Sequence, residues 1–188
     1  MSEIDEMFDK IVGTADKDFA GPKDEIVCIV DRSGSMTNIR ADAEGGLNSF
    51  IAEQKKIPGG ANLTIVEFDN TIDIVHNRVD LMEATDYELL PRGGTALYDA
   101  IGQAINTIPT DVEGKVIVVI VTDGGENSSK EYNKEMINTL ITEKQEAGWE
   151  FLFLAANQDA FGVGGGLGIA SKGITNFDFD ANGMMDAY

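Results

Sequence analysis

Glu25-Ile26-Val27-Cys28-Ile29-Val30-Asp31-Arg32-Ser33-Gly34-Ser35-Met36 is the stretch that decides the fold of this chain. Its first half is a continuous apolar run rich in β-branched residues, the composition of a central parallel strand buried on both faces. Its second half places three oxygen-bearing side chains, Asp31, Ser33 and Ser35, at alternate positions as the chain leaves that strand. Gly34 is expected to let the backbone turn tightly, so that the three side chains converge on one point. One carboxylate and two hydroxyls are hard donors, suited to Mg²⁺, Mn²⁺ or Ca²⁺ and not to zinc or copper. Taken alone, the six residues from Asp31 to Met36 are explained equally well as a polar loop between a strand and a helix.

Downstream, Ile39, Ala43, Leu47, Phe50 and Ile51 form a helical stripe that Pro58-Gly59-Gly60 terminates. Gly45-Gly46 inside it should cost about 1 kcal/mol per residue relative to Ala, and close packing on the sheet is the expected reason. Asn62–Phe68 and Thr71–Val75 read as a hairpin turned at Asp69-Asn70, with the second run at a sheet edge. His76, the only histidine, follows it and reads as a partly exposed edge residue before it reads as a ligand or base. Pro91-Arg92-Gly93-Gly94-Thr95 leads into the helical face Leu97, Ala100, Ile101, Ala104, Ile105 and Ile108. Thr95 thus falls at or next to the helix N-cap, where capping alone would be worth about 1 kcal/mol.

Lys115–Thr122 is the most apolar run of the chain, a second central strand, with Asp123-Gly124-Gly125 at its end. A helix around Tyr132 to Ala147, stopped by Gly148, and a strand over Trp149–Ala155 follow. The glycines of Phe161-Gly162-Val163-Gly164-Gly165-Gly166-Leu167-Gly168 fit no phosphate-binding register and read as an irregular helix against the sheet. Ile174–Phe179 reads as the last strand. Asp178, Asp180, Asn182 and Gly183 match the first positions of a calcium loop. The loop's closing ligand would fall beyond Tyr188 and the preceding segment reads as strand, so a strand end followed by a helix N-cap competes with that reading.

With 188 residues and 43% hydrophobic content, the chain suits one α/β domain with a full core. Fourteen basic against 33 acidic residues, a net charge of -19, argue against phosphate-backbone and anionic-membrane partners. Cys28, the single cysteine, reads as a buried structural thiol. Residues 1–23 form a separate unit: Ile4, Met7, Phe8, Ile11 and Val12 make an amphipathic helix that packs on the domain or docks on a partner, followed by a linker. The domain itself is expected over 24–188, its final helix from near Ala181 too short to cover a sheet and so reading as cut. Neither a signal peptide nor a membrane span is recognisable, which leads to an expected cytoplasmic location, or the host cytoplasm for a phage-encoded chain.

Strands alternating with helices imply a doubly wound, mostly parallel sheet with one antiparallel edge strand and helices on both faces. Such sheets bind ligands outside the carboxyl ends of the strands, where the winding reverses. Asp31, Thr95 and Asp123 each lie in a loop before a helix, so their convergence at one edge is the geometric expectation.

On these residues the chain resembles the von Willebrand factor A family, whose metal-ion-dependent adhesion site combines a D-x-S-x-S loop, a distant threonine and a distant aspartate. Asp31, Ser33 and Ser35 match the first element, Thr95 in Gly93-Gly94-Thr95-Ala96-Leu97 the second, and Asp123 in Thr122-Asp123-Gly124 the third. The resemblance covers about Glu25 to Asp180, and its wording is closer to stand-alone bacterial, archaeal or phage members than to integrins. It implies a Rossmann-like fold and a Mg²⁺ site, with Mn²⁺ or Ca²⁺ as alternatives, in which Ser33, Ser35 and Thr95 supply neutral oxygens and Asp31 and Asp123 act directly or through water. It further implies a protein–protein interaction module, not an enzyme, in which a partner's Glu or Asp carboxylate completes the coordination sphere. A negative surface around the site is expected from the composition. Two other functions compete: a Mg²⁺-dependent phosphoryl-transfer or hydrolytic enzyme, and a scaffold with a structural or vacant metal site. The first lacks a second acidic residue beside Asp31 and a lysine within Asp31–Met36, Pro91–Thr95 or Asp123–Gly125.

Overall fold

The computed structural model describes residues 21–123, 125–155 and 158–176. The N-terminal helix and the calcium-loop candidates Asp178, Asp180 and Asn182 lie outside the described residues. A six-stranded sheet has the order β3-β2-β1-β4-β5-β6. Its strands are β1 (Asp24–Asp31), β2 (Ala61–Phe68), β3 (Ile72–Asp80), β4 (Val116–Thr122), β5 (Glu150–Ala155) and β6 (Ile174–Asn176). All neighbours pair in parallel except the hairpin β2–β3, which forms one edge. The helices are α1 (Arg40–Gln54), α2 (Leu97–Thr107), α3 (Lys134–Glu146) and α4 (Gln158–Gly166). The expected doubly wound class is therefore what the chain adopts. Among the described residues, no helix is long and apolar enough to cross a membrane.

β1 and β4 are buried along almost their whole length, as their unbroken apolar runs require. Alternate residues feed two cores. Ile26, Cys28, Val30, Leu63, Ile65 and Val119 join Leu47, Phe50 and Ile51 of α1 on one face. Val27, Ile29, Phe68, Val118 and Ile120 join α2, α3 and the end of α4 on the other. Burial pushes the Cys28 thiol up to about 12, so it remains a neutral thiol, in keeping with a structural role.

Two local expectations change. β3 runs on to Asp80, so His76 lies within the edge strand, opposite Ile65, and not after it. An added Cβ at Gly45 would meet nothing within 4 Å, so close packing on the sheet does not explain that glycine. The glycine-rich segment does form a helix, and there close approach is the reason: a Cβ at Gly164 would stand 3.1 Å from both Ile174 Cδ1 and Phe153 Cγ. Gly164→Leu is accordingly expected to cost about 1–3 kcal/mol by overpacking. A lowered urea midpoint checks this, and an unchanged one would show that α4 can lift from the sheet freely.

Candidate functional site

The winding of the sheet reverses between β1 and β4, so the loops that leave these two strands diverge and open a crevice at the carboxyl edge. Asp31 is the last residue of β1 and Asp123 follows the last residue of β4, one on each side of that crevice. Side chains of Asp31 and Thr122 meet across it. Asp31 is fully buried, with Oδ1 accepting the Ser33 N–H at 2.7 Å and Oδ2 accepting the Thr122 hydroxyl at 2.7 Å. These bonds hold the turn that sets the Ser33 and Ser35 hydroxyls 3.0 Å apart. Gly34 contributes no left-handed backbone; the convergence is made by a 3-10 helix over Gly34–Ile39.

The second loop is fastened to the first by main-chain bonds, Gly34 N to Gly93 O at 3.1 Å and Arg92 N to Arg32 O at 2.6 Å. Here glycine is required: Gly93 has φ +71°, and a Cβ on it would lie 2.7 Å from Asn70 Oδ1. Ala96, not Thr95, occupies the N-cap position of α2, so capping does not account for Thr95. Its backbone instead binds the third loop: Thr95 N donates to Asn127 Oδ1 at 2.9 Å, and Thr95 O accepts Asn127 N and Ser128 N at 2.9 and 3.0 Å. Gly125 sits against both remaining members, since a Cβ built on it would be 3.2 Å from Asp123 Oδ1 and 3.7 Å from Thr95 Oγ1. The three loops that carry Asp31, Ser33, Ser35, Thr95 and Asp123 are thus joined at this edge of the sheet.

The third loop has no regular structure before α3, yet its polar groups are matched with the start of α2. Glu126 accepts from Ser128 N, Ser129 N, the Ser129 hydroxyl and Tyr98 N. Buried Asp99 accepts from Lys130 N, Glu131 N and Tyr132 N. Two otherwise unsatisfied N–H groups in the first turn of α2, on Tyr98 and Asp99, are thereby supplied with acceptors from the loop.

Beside the crevice, Asp69 ties all the pieces on the hairpin side. Its carboxylate accepts Arg32 Nε at 3.1 Å, Arg92 Nε at 2.7 Å, Thr71 N at 2.7 Å and the Thr71 hydroxyl at 2.9 Å, while its carbonyl accepts Ala96 N. Arg32 is 6% exposed and also binds Glu67 and Asp73. Burial alone would raise the Asp69 carboxyl, but Arg92, Thr71 and Arg32 outweigh it and hold it down to about 2. Asp31 differs. Its carboxyl is raised, first by burial, against the Ser33 and Thr122 hydrogen bonds and with the Asp123 charge adding to the rise. Among the described residues, neither Asp31 nor Asp123 is ion-paired, whereas both nearby arginines are committed to Asp69, Glu67 and Asp73.

Around Thr95 the described neighbours are Asn70, Gly93, Gly94, Asn127 and Ser128, neutral groups, and the nearby acids Asp69 and Glu126 are turned into internal hydrogen bonds. The sequence reads Asp69-Asn70 only as a turn, and nothing in the spacing of Asn70, Asn127 or Ser128 announces a link to Thr95. His76 stays on the edge strand. The donor set that remains, three hydroxyls and two carboxylates, fits a hard divalent cation. Among the described residues, no cluster of three or more His, Cys, Asp and Glu offers an anionic alternative.

No curated protein matches the chain in sequence. Among solved structures, it is similar to the manganese-loaded TRAP protein of Plasmodium vivax, with TM-score 0.63, 16% identity and coverage of 88% of this chain and 72% of that one. It is similar to the pilus adhesin SpaC of Lactobacillus rhamnosus GG, with TM-score 0.63, 14% identity, 88% of this chain and 30% of that one. A third, the protein BatB of Bacteroides thetaiotaomicron, has TM-score 0.53, 14% identity, 87% of this chain and 98% of that one. These likenesses show the fold. The family model for the von Willebrand factor type A domain matches residues 26–126, more than half of the chain and the span from β1 through the third loop. The chain belongs to the von Willebrand factor type A domain family.

Proposed function

We propose that this domain binds another protein through a divalent cation held by Ser33, Ser35, Thr95, Asp31 and Asp123, with a Glu or Asp carboxylate of the partner completing the coordination sphere. The observation that carries the reading is that the loops bearing these three hydroxyls and two carboxylates are fastened to one another, while neither carboxylate is ion-paired among the described residues. Bound there, a cation such as Mg²⁺ would offset the charge that Asp31 and Asp123 hold so close and keep a position open to an outside oxygen. Both oxygens of Asp31 already accept protein hydrogen bonds, which favours its acting through water. A manganese-loaded structure and an adhesin among the similar folds agree with this direction.

The reading assigns no turnover to the site. Among the described residues, Arg32 and Arg92 are engaged away from the crevice and His76 lies on the far edge strand, which leaves no evident proton carrier or phosphoryl clamp there. Phosphatase or esterase activity with Mg²⁺ that disappears in Asp123→Ala would favour the enzymatic alternative.

Ser35→Ala gives the cleanest test. Ser35 is exposed and its hydroxyl bonds only to that of Ser33 among the described residues, so its loss should leave stability in EDTA within about 0.5 kcal/mol. Mn²⁺ or Mg²⁺ affinity, read by calorimetry, should fall by at least about tenfold, since even outer partners of a metal site are worth that much. Capture of partners in Mg²⁺ but not in EDTA should disappear with it. Unchanged cation affinity in Ser35→Ala would overturn the reading. Asp31→Ala is less discriminating, because it also strands the buried Thr122 hydroxyl and Ser33 N–H.

A further inference from the structure

We infer that Asn127 is a specificity residue of the partner site, donating from Nδ2 to a main-chain carbonyl next to the acidic residue that the partner supplies. This rests on the cation-dependent reading above and deepens it: the ligand is a peptide segment containing Glu or Asp, recognised by its backbone as well as its carboxylate.

Thr95 N–H needs an acceptor, so the Asn127 atom 2.9 Å from it is the oxygen, and the Ser128 hydroxyl donates to the same oxygen at 2.6 Å. With Oδ1 pinned by two donors, Nδ2 is fixed on the other side of the group. Asn127 is exposed, and among the described residues its Nδ2 donates to nothing. A donor held still and without a protein acceptor among the described residues, on the residue that brackets Thr95 through both backbone groups, loses little freedom on binding.

Neighbouring contacts hold this amide in place. Asn70 Oδ1 accepts Gly94 N at 2.7 Å and its Nδ2 donates to Ser128 Oγ at 3.1 Å, so the chain Asn70–Ser128–Asn127 closes over the second loop. A Cβ at Gly94 would come within 2.7 Å of Asn70 Nδ2 and Ser128 Oγ, which leaves the cluster no slack. The whole arrangement is uncharged in a protein of net charge -19. An acidic segment therefore approaches amides and hydroxyls instead of like charge, and an acidic residue brings its own main chain within a side chain's length of the cation.

The test uses the whole protein loaded with Mn²⁺ and two probes, acetate and N-acetyl-Ala-Glu-Ala-amide, with binding read from the relaxation of water on the manganese. The wild-type protein should prefer the peptide by about five- to tenfold, the worth of one hydrogen bond. Asn127→Asp keeps an acceptor for Thr95 N–H and Ser128, removes the donor and adds a charge that acts alike on the two anionic probes, so their ratio reads the donor. It should bind Mn²⁺ at least as tightly while its peptide-over-acetate ratio falls to about one; Asn127→Ser should lose the ratio as well. An unchanged ratio in both variants overturns the assignment, as does equal binding of the two probes by the wild type. If Asn127 only braces Thr95, Mn²⁺ affinity falls and both probes weaken alike, which also overturns it. Failure of the wild type to take up Mn²⁺ at all defeats the underlying cation reading and is seen separately in the metal titration.

Discussion

Asp69→Ala is expected to lower the folding stability by about 3–5 kcal/mol, the cost of removing one partner from a buried ion network and stranding the rest. Arg32 would lose its Nε acceptor while remaining almost wholly buried, and Thr71 N and Arg92 Nε would lose theirs. Asp69→Asn retains an acceptor for Thr71 but turns an N–H₂ toward the two arginine donors, so it should fall between the wild type and Asp69→Ala. Acid gives the same information without mutation. The native carboxyl titrates at about 2 against an ordinary value of 3.8, a difference worth about 2 kcal/mol. Because the folded value is the lower one, the unfolded chain takes up the proton first as pH falls. The contribution is therefore complete above about pH 5 and is lost progressively toward pH 2. Urea unfolding at pH 7 and pH 2.5 should show the gap between wild type and Asp69→Ala narrowing by about two-thirds of that amount. A gap that does not change with pH would mean that the Asp69 charge is not what the network uses.

How much of this site was legible in the sequence follows from the range of the interactions involved. Strand β1 and the D-x-S-x-S loop are contiguous, and β4 announces itself by an unbroken apolar run, so the two strands that flank the crevice could be read directly. Thr95 and Asp123 lie in loops before helices of a doubly wound sheet, and the family resemblance singled them out. The fixings were not legible. Asp69 with Arg32 and Arg92, Thr95 with Asn127, and Asp99 with Tyr132 are pairs separated by dozens of residues, and no local propensity distinguishes a side chain that closes such a bond from one that faces water. For the same reason, a total charge of -19 does not say which acids face solvent: Glu126 and Asp69 are taken up by internal hydrogen bonds. Gly34 and Gly45 show the converse limit, since a glycine in the sequence does not say whether backbone conformation or packing demands it.

Asp123→Asn is expected to change the sign of its effect with the medium. The substitution is nearly isosteric and keeps an oxygen for Gly125 N, which Asp123 Oδ1 accepts at 3.0 Å. In EDTA it removes the charge that helps to raise the Asp31 carboxyl, so the variant should be as stable as the wild type or more stable by up to about 1 kcal/mol. In Mg²⁺ the order should reverse. At a free cation concentration of 100 times the wild-type Kd, binding stabilises the folded state by about 2.7 kcal/mol. Loss of one of two negative ligands that raises Kd about 100-fold would leave the variant only about 0.4 kcal/mol of that gain. Wild type and variant therefore cross, with the variant higher without the cation and lower by about 1–2 kcal/mol with it. A structural role alone cannot produce the crossing. If Asp123 serves only as acceptor for the Gly125 N–H, the variant keeps the same rank in EDTA and in Mg²⁺, and urea unfolding in the two media separates these outcomes.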